Sequence, residues 1–413
     1  LKYGIGDALV EMKERRLTPT EVGLDLLILA AHVHAADTRI SRSTESQDSW
    51  TREIRLIVPV SNSTRWTSAI PILQRILNFL TGDYWLIEFR DRPEKFVPLV
   101  SKSNSRTIPL HFDSIGLFSG GLDSIIGALA TLEAGGTPLL VSHASEGIVS
   151  KSQELCFNGL KTHFKQQPFE RLRIWMNFNS GLVANVKSED STRGRSFLFF
   201  AIAVFAGTCF SDPFTLQIPE NGLIALNVPL DPLRLGALST RTTHPFYIAR
   251  WNELLVALGI PGHLKNPYWN MTKGEMVAGC ANKSLLSQLA PLSLSCSSPS
   301  KGRWKKQKAG HCGYCVPCLI RRAALGSDDT TMYSLPDLHE QILDSTRSEG
   351  QQIRSFQLAI TRIKANPHLA KLLIHKPGPL SDELAHLDDL AGVYQRGLEE
   401  VERLLTGVVV EPK

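Results

Sequence analysis

The stretch "SIGLFSGGLDSIIGALATLEAGGTPLLVSHAS", residues 114–145, decides the fold. It opens with an apolar strand-like run, 114–118, passes through a Gly- and Ser-rich turn, and continues as a helical pattern over 124–136 that ends in paired glycines. A second apolar run at 138–145 predicts the next strand. Strand, short loop, helix and strand in that order is a βαβ unit, so the sheet is parallel and the class is α/β. The turn itself, Ser119-Gly120-Gly121-Leu122-Asp123-Ser124, sits where a strand hands over to the first turn of a helix. Backbone N–H groups there have no helical partner, and the positive end of the helix dipole favours an anion. Gly120 and Gly121 allow positive φ and close approach of a ligand, and Ser119 and Ser124 add hydroxyls. Asp123 repels a phosphate unless a divalent cation lies between them, which predicts Mg²⁺ at that carboxylate.

Working outward, residues 1–108 read as a small α+β unit: a capped amphipathic helix around 18–37, then strands at 52–60 and 83–90 on either side of a helical 69–82. The Ser-rich 101–109 reads as a linker, and the unit from 109 to about 330 carries the α/β alternation. Its helix 196–209 and strand 214–221 continue the pattern. From 331 to 413 the stretches "LHEQILDSTRS", "IRSFQLAITRIKA" and "ELAHLDDLAGVYQRGLEEVERLLTG" predict a helical C-terminal region interrupted by "HKPGPLS".

Composition narrows the class without naming a partner. A chain of 413 residues with 43% hydrophobic content buries a large core, and a net charge of +5 neither demands nor excludes nucleic acid. The most apolar run, 196–210, is shorter than the roughly 20 residues of a membrane span and reads as a buried helix. Seven cysteines with three closely spaced imply a reducing compartment and a metal site, not disulfides. With no signal pattern at the start, the expected location is cytoplasmic.

In "SCSSPSKGRWKKQKAGHCGYCVPCLIRR", Cys312, Cys315 and Cys318 recur every third residue, with Cys296 fifteen residues upstream of the first. Two-residue gaps make a tight knuckle, so the three sulfurs can converge on one ion with Cys296 as the fourth ligand of a closed tetrahedral zinc site. The same CxxCxxC spacing opens iron–sulfur motifs, and spacing alone leaves both open. His311 points away from the ion in this reading, and Cys156, Cys209 and Cys280 are core thiols. The basic insert 301–308 with Trp304 offers charge and stacking for nucleic acid, a role not favoured over a solvated loop.

"SGGLDS" after a strand resembles the PP-loop of the ATP pyrophosphatases, a Rossmann-like group of the adenine nucleotide alpha hydrolase kind. With the four cysteines, residues 110–330 look like a 7-cyano-7-deazaguanine synthase (QueC) type protein. "GRSFLFFAIA" (194–203) is similar to that family's "GRNxxFxxxA", placing Arg195 on the family arginine with Ser196 in place of the asparagine. "NPYWNMTKGEMV" (266–277) is similar to "PLxxxTKxEIV", placing Thr272 and Lys273. The resemblance implies ATP, Mg²⁺ and a structural zinc as cofactors. It also implies adenylation of 7-carboxy-7-deazaguanine with loss of pyrophosphate, then displacement of AMP by ammonia and onward dehydration to a nitrile. Asp123, Arg195 and Lys273 are the implied catalytic residues, and Ser119 to Ser124 the implied nucleotide loop.

The chain departs from that family where the substrate segment should be, having "IPENGLIALNVP" and "STRTTHPFYIARWNEL" instead. Glu220, Asn221, Arg241, Thr242 and His244 are the substrate-binding candidates there. The long N-terminal unit and helical tail resemble the QueC-like proteins of bacterial anti-phage clusters, the QatC group. That likeness implies protein partners from the same defence system and an amide-forming ligase whose acceptor is ammonia or a partner's amine. Two other readings stand beside it: an inactive nucleotide-binding scaffold of a defence complex, and a tRNA-modifying PP-loop enzyme. The last wants a cysteine pair in the nucleotide cleft, whereas Cys312 to Cys318 are committed to metal.

Overall fold

A computed structural model describes residues 3–100, 112–144, 147–178, 187–189, 193–231, 241–300 and 309–412. The linker 101–109, the basic insert 301–308 and the residues just before Arg241 lie outside them.

Five strands form an all-parallel sheet: β3 (Ser114–Leu117), β4 (Pro138–Ala144), β5 (Glu170–Trp175), β6 (Phe214–Gln217) and β7 (Gly262–Lys265), in the order β5-β4-β3-β6-β7. Strands β1 (Glu53–Val60) and β2 (Tyr84–Asp91) pair parallel to each other as a separate two-stranded sheet, with helix Ile70–Thr81 between them in sequence. The class is therefore α/β, as the alternation in the sequence predicts.

Both faces of the large sheet are covered, which is why β4 opens on the continuous apolar run 138–141. Leu139 and Val141 enter one core with helices Glu21–Arg39, Arg195–Gly207 and Pro245–Leu258. Leu140, one residue out of phase, enters another with helices Leu122–Glu133, Gly147–His163 and Lys283–Leu289. The first of these cores runs without interruption from Ile5 through the N-terminal unit to Leu264.

A buried ion network reinforces that joint. Arg52 donates to Asp37 (2.9 Å) and Asp83 (2.6 Å), while the Gly194 N–H donates to Asp37 Oδ2 (2.7 Å) just before helix Arg195–Gly207 begins. The apolar run after Arg195 is thus an interior helix, and no helix among the described residues is long and apolar enough to cross a membrane.

The C-terminal region has its own core, built from helices Val316–Leu325, Ser348–Ala365 and Leu387–Leu405 against Leu223 and Leu226. One expected helix is absent. "LHEQILDSTRS" instead runs through bends into a two-residue strand, Leu343–Asp344, paired parallel with Val410–Glu411. Asp344 Oδ1 accepts from the Thr346 N–H (2.9 Å) and hydroxyl, an Asp-led turn that outcompetes helical continuation.

Candidate functional site

In the sheet, β3 has β4 on one side and β6 on the other, so the loops leaving β3 and β6 diverge at the carboxyl ends of adjacent strands. Open parallel sheets bind ligands in the crevice at such a switch point. The loop after β3 is Phe118–Gly121, and helix Leu122–Glu133 starts directly from it. Gly120 has φ +79°, a left-handed conformation that a side chain would strain, and a Cβ there would come within 3.0 Å of the Gln153 backbone nitrogen. Gly121 occupies the N-cap without a side chain to cap the helix. The first-turn donors are therefore served sparsely: Gly121 N–H by Ser119 Oγ (3.2 Å) and Leu122 N–H by Ser295 Oγ (3.4 Å). Ser124 turns its hydroxyl back to the Gly121 carbonyl (2.8 Å), and Ser119 is exposed. Strand, loop and uncapped helix together form an anion-binding geometry.

The loop after β6 supplies Glu220 and Asn221. Asn221 caps helix Gly222–Leu226, accepting from the Ile224 N–H (3.1 Å), and both its backbone N–H and its Nδ2 donate to Asp123 Oδ2 (3.1 and 2.8 Å). Nδ2 also donates to Glu220 Oε1 (3.0 Å). Lys273 closes the group with an ion pair to Asp123 Oδ1 in which both side chains are over nine-tenths buried. The lysine begins helix Lys273–Ala278, fixed by a capping box between Thr272 and Glu275. Glu400, from the C-terminal helix Leu387–Leu405, accepts from the Thr272 hydroxyl and the Gly274 N–H (3.1 Å), and Arg396 one turn earlier pairs with Glu275 (2.6 Å).

This environment separates the two carboxylates. Burial opposes the ionisation of Asp123, but the Lys273 ammonium and the donors around it win, and its pKa lies below the usual carboxylate value. Glu220 is pushed well above its usual value, first by burial and then by the negative charge of Asp123. The two carboxyl groups are thus driven apart, Asp123 toward the charged form and Glu220 toward the neutral one. At Asp123, where the sequence predicts Mg²⁺, Oδ1 accepts from Lys273 and Oδ2 from two Asn221 donors, so the partner that the structure gives this carboxylate is an ammonium.

Ser119 to Ser124, Glu220, Asn221 and Lys273 thus come together, as the sequence suggests. Arg195 starts its helix at the carboxyl end of β4, its guanidinium over Phe199 (5.4 Å) and next to His143. Burial and the charge of Arg195 lower His143 to about 4, and burial, His143 and Arg195 do the same for His34. Arg241 and His244 belong elsewhere. Arg241 donates to the Phe79 carbonyl (2.7 Å), and His244 caps helix Pro245–Leu258 by accepting from the Phe246 N–H (3.2 Å) with its ring against Phe79. Among the described residues neither these two nor Thr242 shares a hydrogen bond or ion pair with the loop. Their neighbour Thr243 instead lines a cavity of about 840 Å³ together with Arg250, Lys265, Trp269, Asp382 and His386.

Ser295, Asn266 and Glu400 are site residues that sequence reading misses. Asn266 and Ser295 had adjacent signals, since one precedes the Thr-Lys motif and the other directly precedes Cys296; Asn266 holds the Glu220 backbone from both sides (2.7 and 3.3 Å).

Cys296, Cys312, Cys315 and Cys318 converge, all four sulfurs within 4.8 Å of one another. The Cys296–Cys315 and Cys312–Cys318 sulfur separations are both 3.9 Å. Four ligands at the ~2.3 Å zinc–sulfur bond length of a tetrahedron stand about 3.8 Å apart. The group can therefore hold a single metal ion such as zinc, whereas an iron–sulfur cluster interposes several atoms and spreads its thiolates further. Gly313 makes the knuckle possible at φ +90°, where a Cβ would meet the Leu335 carbonyl at 2.6 Å. The Cys315 N–H donates to Cys312 Sγ (3.3 Å), and Cys315 is the N-cap of Val316–Leu325. His311 is not a ligand: its Nε2 accepts from the Ser295 N–H (3.1 Å). Burial raises Cys156 to about 12 and raises Cys209 and Cys280 as well, in keeping with inert thiols.

No protein-family model matches this chain, and no curated protein does. The functional reading therefore rests on the chemistry of these residues.

Proposed function

We propose that the chain is a nucleotide-activating ligase of the PP-loop, QueC-like kind. It uses ATP to adenylate a carboxylate of the 7-carboxy-7-deazaguanine class and transfers the acyl group to nitrogen. The observation that carries this reading is the loop Ser119–Gly121, with Gly120 at φ +79°, opening onto an uncapped helix at the switch point of a parallel sheet. A carboxylate oxygen attacks the α-phosphorus and the bond to the leaving oxygen breaks, releasing pyrophosphate. An amine or ammonia nitrogen then attacks the acyl carbon, the acyl–oxygen bond to AMP breaks, and the nitrogen gives up a proton to water.

The loop N–H groups bind the phosphates, and Arg195 and Lys273 supply positive charge for the departing pyrophosphate. Asp123 acts through Lys273, fixing the ammonium beside the loop, and no step passes through Mg²⁺ on that carboxylate. Glu220 and Asn221 stand at the carboxyl end of β6, where a purine-like edge would lie. Zinc in the four-cysteine site is structural in this reading. The acceptor, ammonia or an amine of a partner from an anti-phage cluster, is part of the proposal, as is a cytoplasmic location.

The test is product analysis with ATP, Mg²⁺ and 7-carboxy-7-deazaguanine, with ammonia or candidate partner proteins, beside a Ser119→Ala variant. The expected result is carboxylate-dependent AMP and pyrophosphate, reduced in the variant. ATP binding without AMP across a panel of carboxylates and acceptors would overturn the ligase reading in favour of a nucleotide-binding scaffold.

A further inference from the structure

Arg321 is fully buried, yet every acceptor around it is neutral. Its Nη1 donates to Ser293 Oγ (2.7 Å) and, more distantly, Ser295 Oγ (3.5 Å); Nη2 donates to the Ala290 carbonyl (2.5 Å) and Thr331 Oγ1 (2.9 Å). Among the described residues no carboxylate forms an ion pair with it. Asp329, in the adjoining turn, is engaged by the Tyr333 hydroxyl (2.6 Å) and the Thr331 N–H (2.9 Å). A guanidinium in such a place is costly without a counter-charge.

A metal-loaded four-cysteine site would offer one within a helical turn. Arg321 follows Cys318 at i+3 on helix Val316–Leu325, so the two share a face. Four thiolates on one divalent ion make a net dianion. On its other side, Arg321 holds the segment that touches the loop: the Leu294 N–H donates to the Gly120 carbonyl (2.8 Å), Ser152 Oγ donates to that same carbonyl (3.2 Å), and Ser295 Oγ accepts from the Leu122 N–H. Cys296 is the next residue, and the Ser295 N–H is fixed by His311, itself the neighbour of Cys312.

We propose that Arg321 and Ser295 are positioning residues that couple the two sites, so that anion binding at Ser119–Gly121 depends on an occupied four-cysteine site. The metal dianion neutralises Arg321 and fixes Cys296. Arg321 then orders Ser293 and Ser295, and Ser295 orders the first turn of the loop helix. This deepens the reading of the loop as an anion site and rests on it.

The experiment measures pyrophosphate and ATP binding by calorimetry on the full chain at one ionic strength, zinc-loaded and after chelation, for the wild type, Ser295→Ala, Arg321→Lys and Arg321→Met. Zinc content is measured on each sample, and hydrogen exchange of the 117–125 backbone is followed in parallel. Ser295→Ala is expected to keep full zinc, lose roughly three- to tenfold in pyrophosphate affinity, and exchange faster at 121–123. Arg321→Met is expected to weaken both zinc retention and anion binding, with Arg321→Lys intermediate. If zinc-loaded wild type binds no pyrophosphate, the loop reading itself fails. If it binds, and Ser295→Ala at full zinc matches it in affinity and exchange, the coupling is refuted even where Arg321→Met does not fold.

Discussion

Replacing Lys273 with Met is the sharpest probe of the site, because it deletes a charge while keeping the unbranched stem. In the wild type the ammonium offsets Asp123 where both side chains are over nine-tenths buried. Removing one partner of such a pair leaves an uncompensated charge and costs about 3 to 5 kcal/mol. For a protein of this size that corresponds to a melting point lower by about 3 to 6 °C. The variant can escape part of the cost by protonating Asp123, which keeps the Asn221 donors and Glu220 beside it but has lost its ammonium. Asp123 in the variant therefore has a raised pKa. The folded state binds the extra proton, so the deficit is small near pH 5 and grows as pH rises toward 8.

Asp123→Asn alone should cost less, because Glu220 already lies within the field of Lys273 and can ionise to take over as its partner. Combining Lys273→Met with Asp123→Asn removes both charges and should recover most of the loss. Thermal and urea unfolding of the four proteins at pH 5, 7 and 8 measure this cycle. A cost below about 1 kcal/mol for Lys273→Met, or additivity of the two changes within about 0.5 kcal/mol, would refute the buried pair.

Gly120→Ala should destabilise by about 1 to 3 kcal/mol, since it combines positive φ with a Cβ against Gln153; Gly135→Ala, also at positive φ but with nothing within 4 Å, isolates the backbone part, and equal losses in thermal unfolding would contradict the packing argument. Burial, and after it the charge of Arg241, lower His244 to about 3, so the unfolded chain takes up a proton that the folded one refuses, and stability should fall as pH drops from about 6.5 toward 3. His244→Asn keeps a capping acceptor for Phe246 and should flatten that slope in melting points between pH 4 and 7; an unchanged slope would exclude the histidine as its source. Cys315→Ser should abolish stoichiometric zinc, read by elemental analysis, whereas Cys156→Ser should leave it intact; zinc retained by the first would dismiss the four-cysteine site.

What the sequence discloses of this molecule is what depends on near neighbours in the chain. The loop between β3 and its helix, the apolar alternation of the sheet and the cysteine knuckle each lie within a few tens of residues, and each has a local cause: positive-φ glycines, unbroken apolar runs, two-residue thiol spacing. The stretch at 338–348 misleads because its apolar spacing suits a helix while Asp344 and the pairing of Leu343 with Val410 favour a turn and a strand. Arg241 and His244 look like ligands for an anion because they are polar in a loop, but Phe79, more than 160 positions earlier, claims them both. No periodicity links such positions. Asp123 shows the same limit within a motif, since its neighbours in the chain suggest a cation and its neighbours in space provide a lysine.

The position of that lysine also explains why the C-terminal region cannot be treated as an appendage. Lys273 opens a helix of only six residues, too short to hold itself in place by its own hydrogen bonds. The Thr272–Glu275 capping box orders its start, but Glu275 is in turn held by Arg396, and Thr272 and Gly274 by Glu400. Both clamps come from one face of Leu387–Leu405, separated by a single turn, and that helix packs by its opposite, apolar stripe into the C-terminal core with Val393, Tyr394 and Val401. A displacement of the C-terminal helix would therefore move Lys273 relative to Asp123 before it disturbed the sheet. If the loop after β3 is the place for an anion, as proposed, the charge beside it is positioned from more than a hundred residues further along the chain.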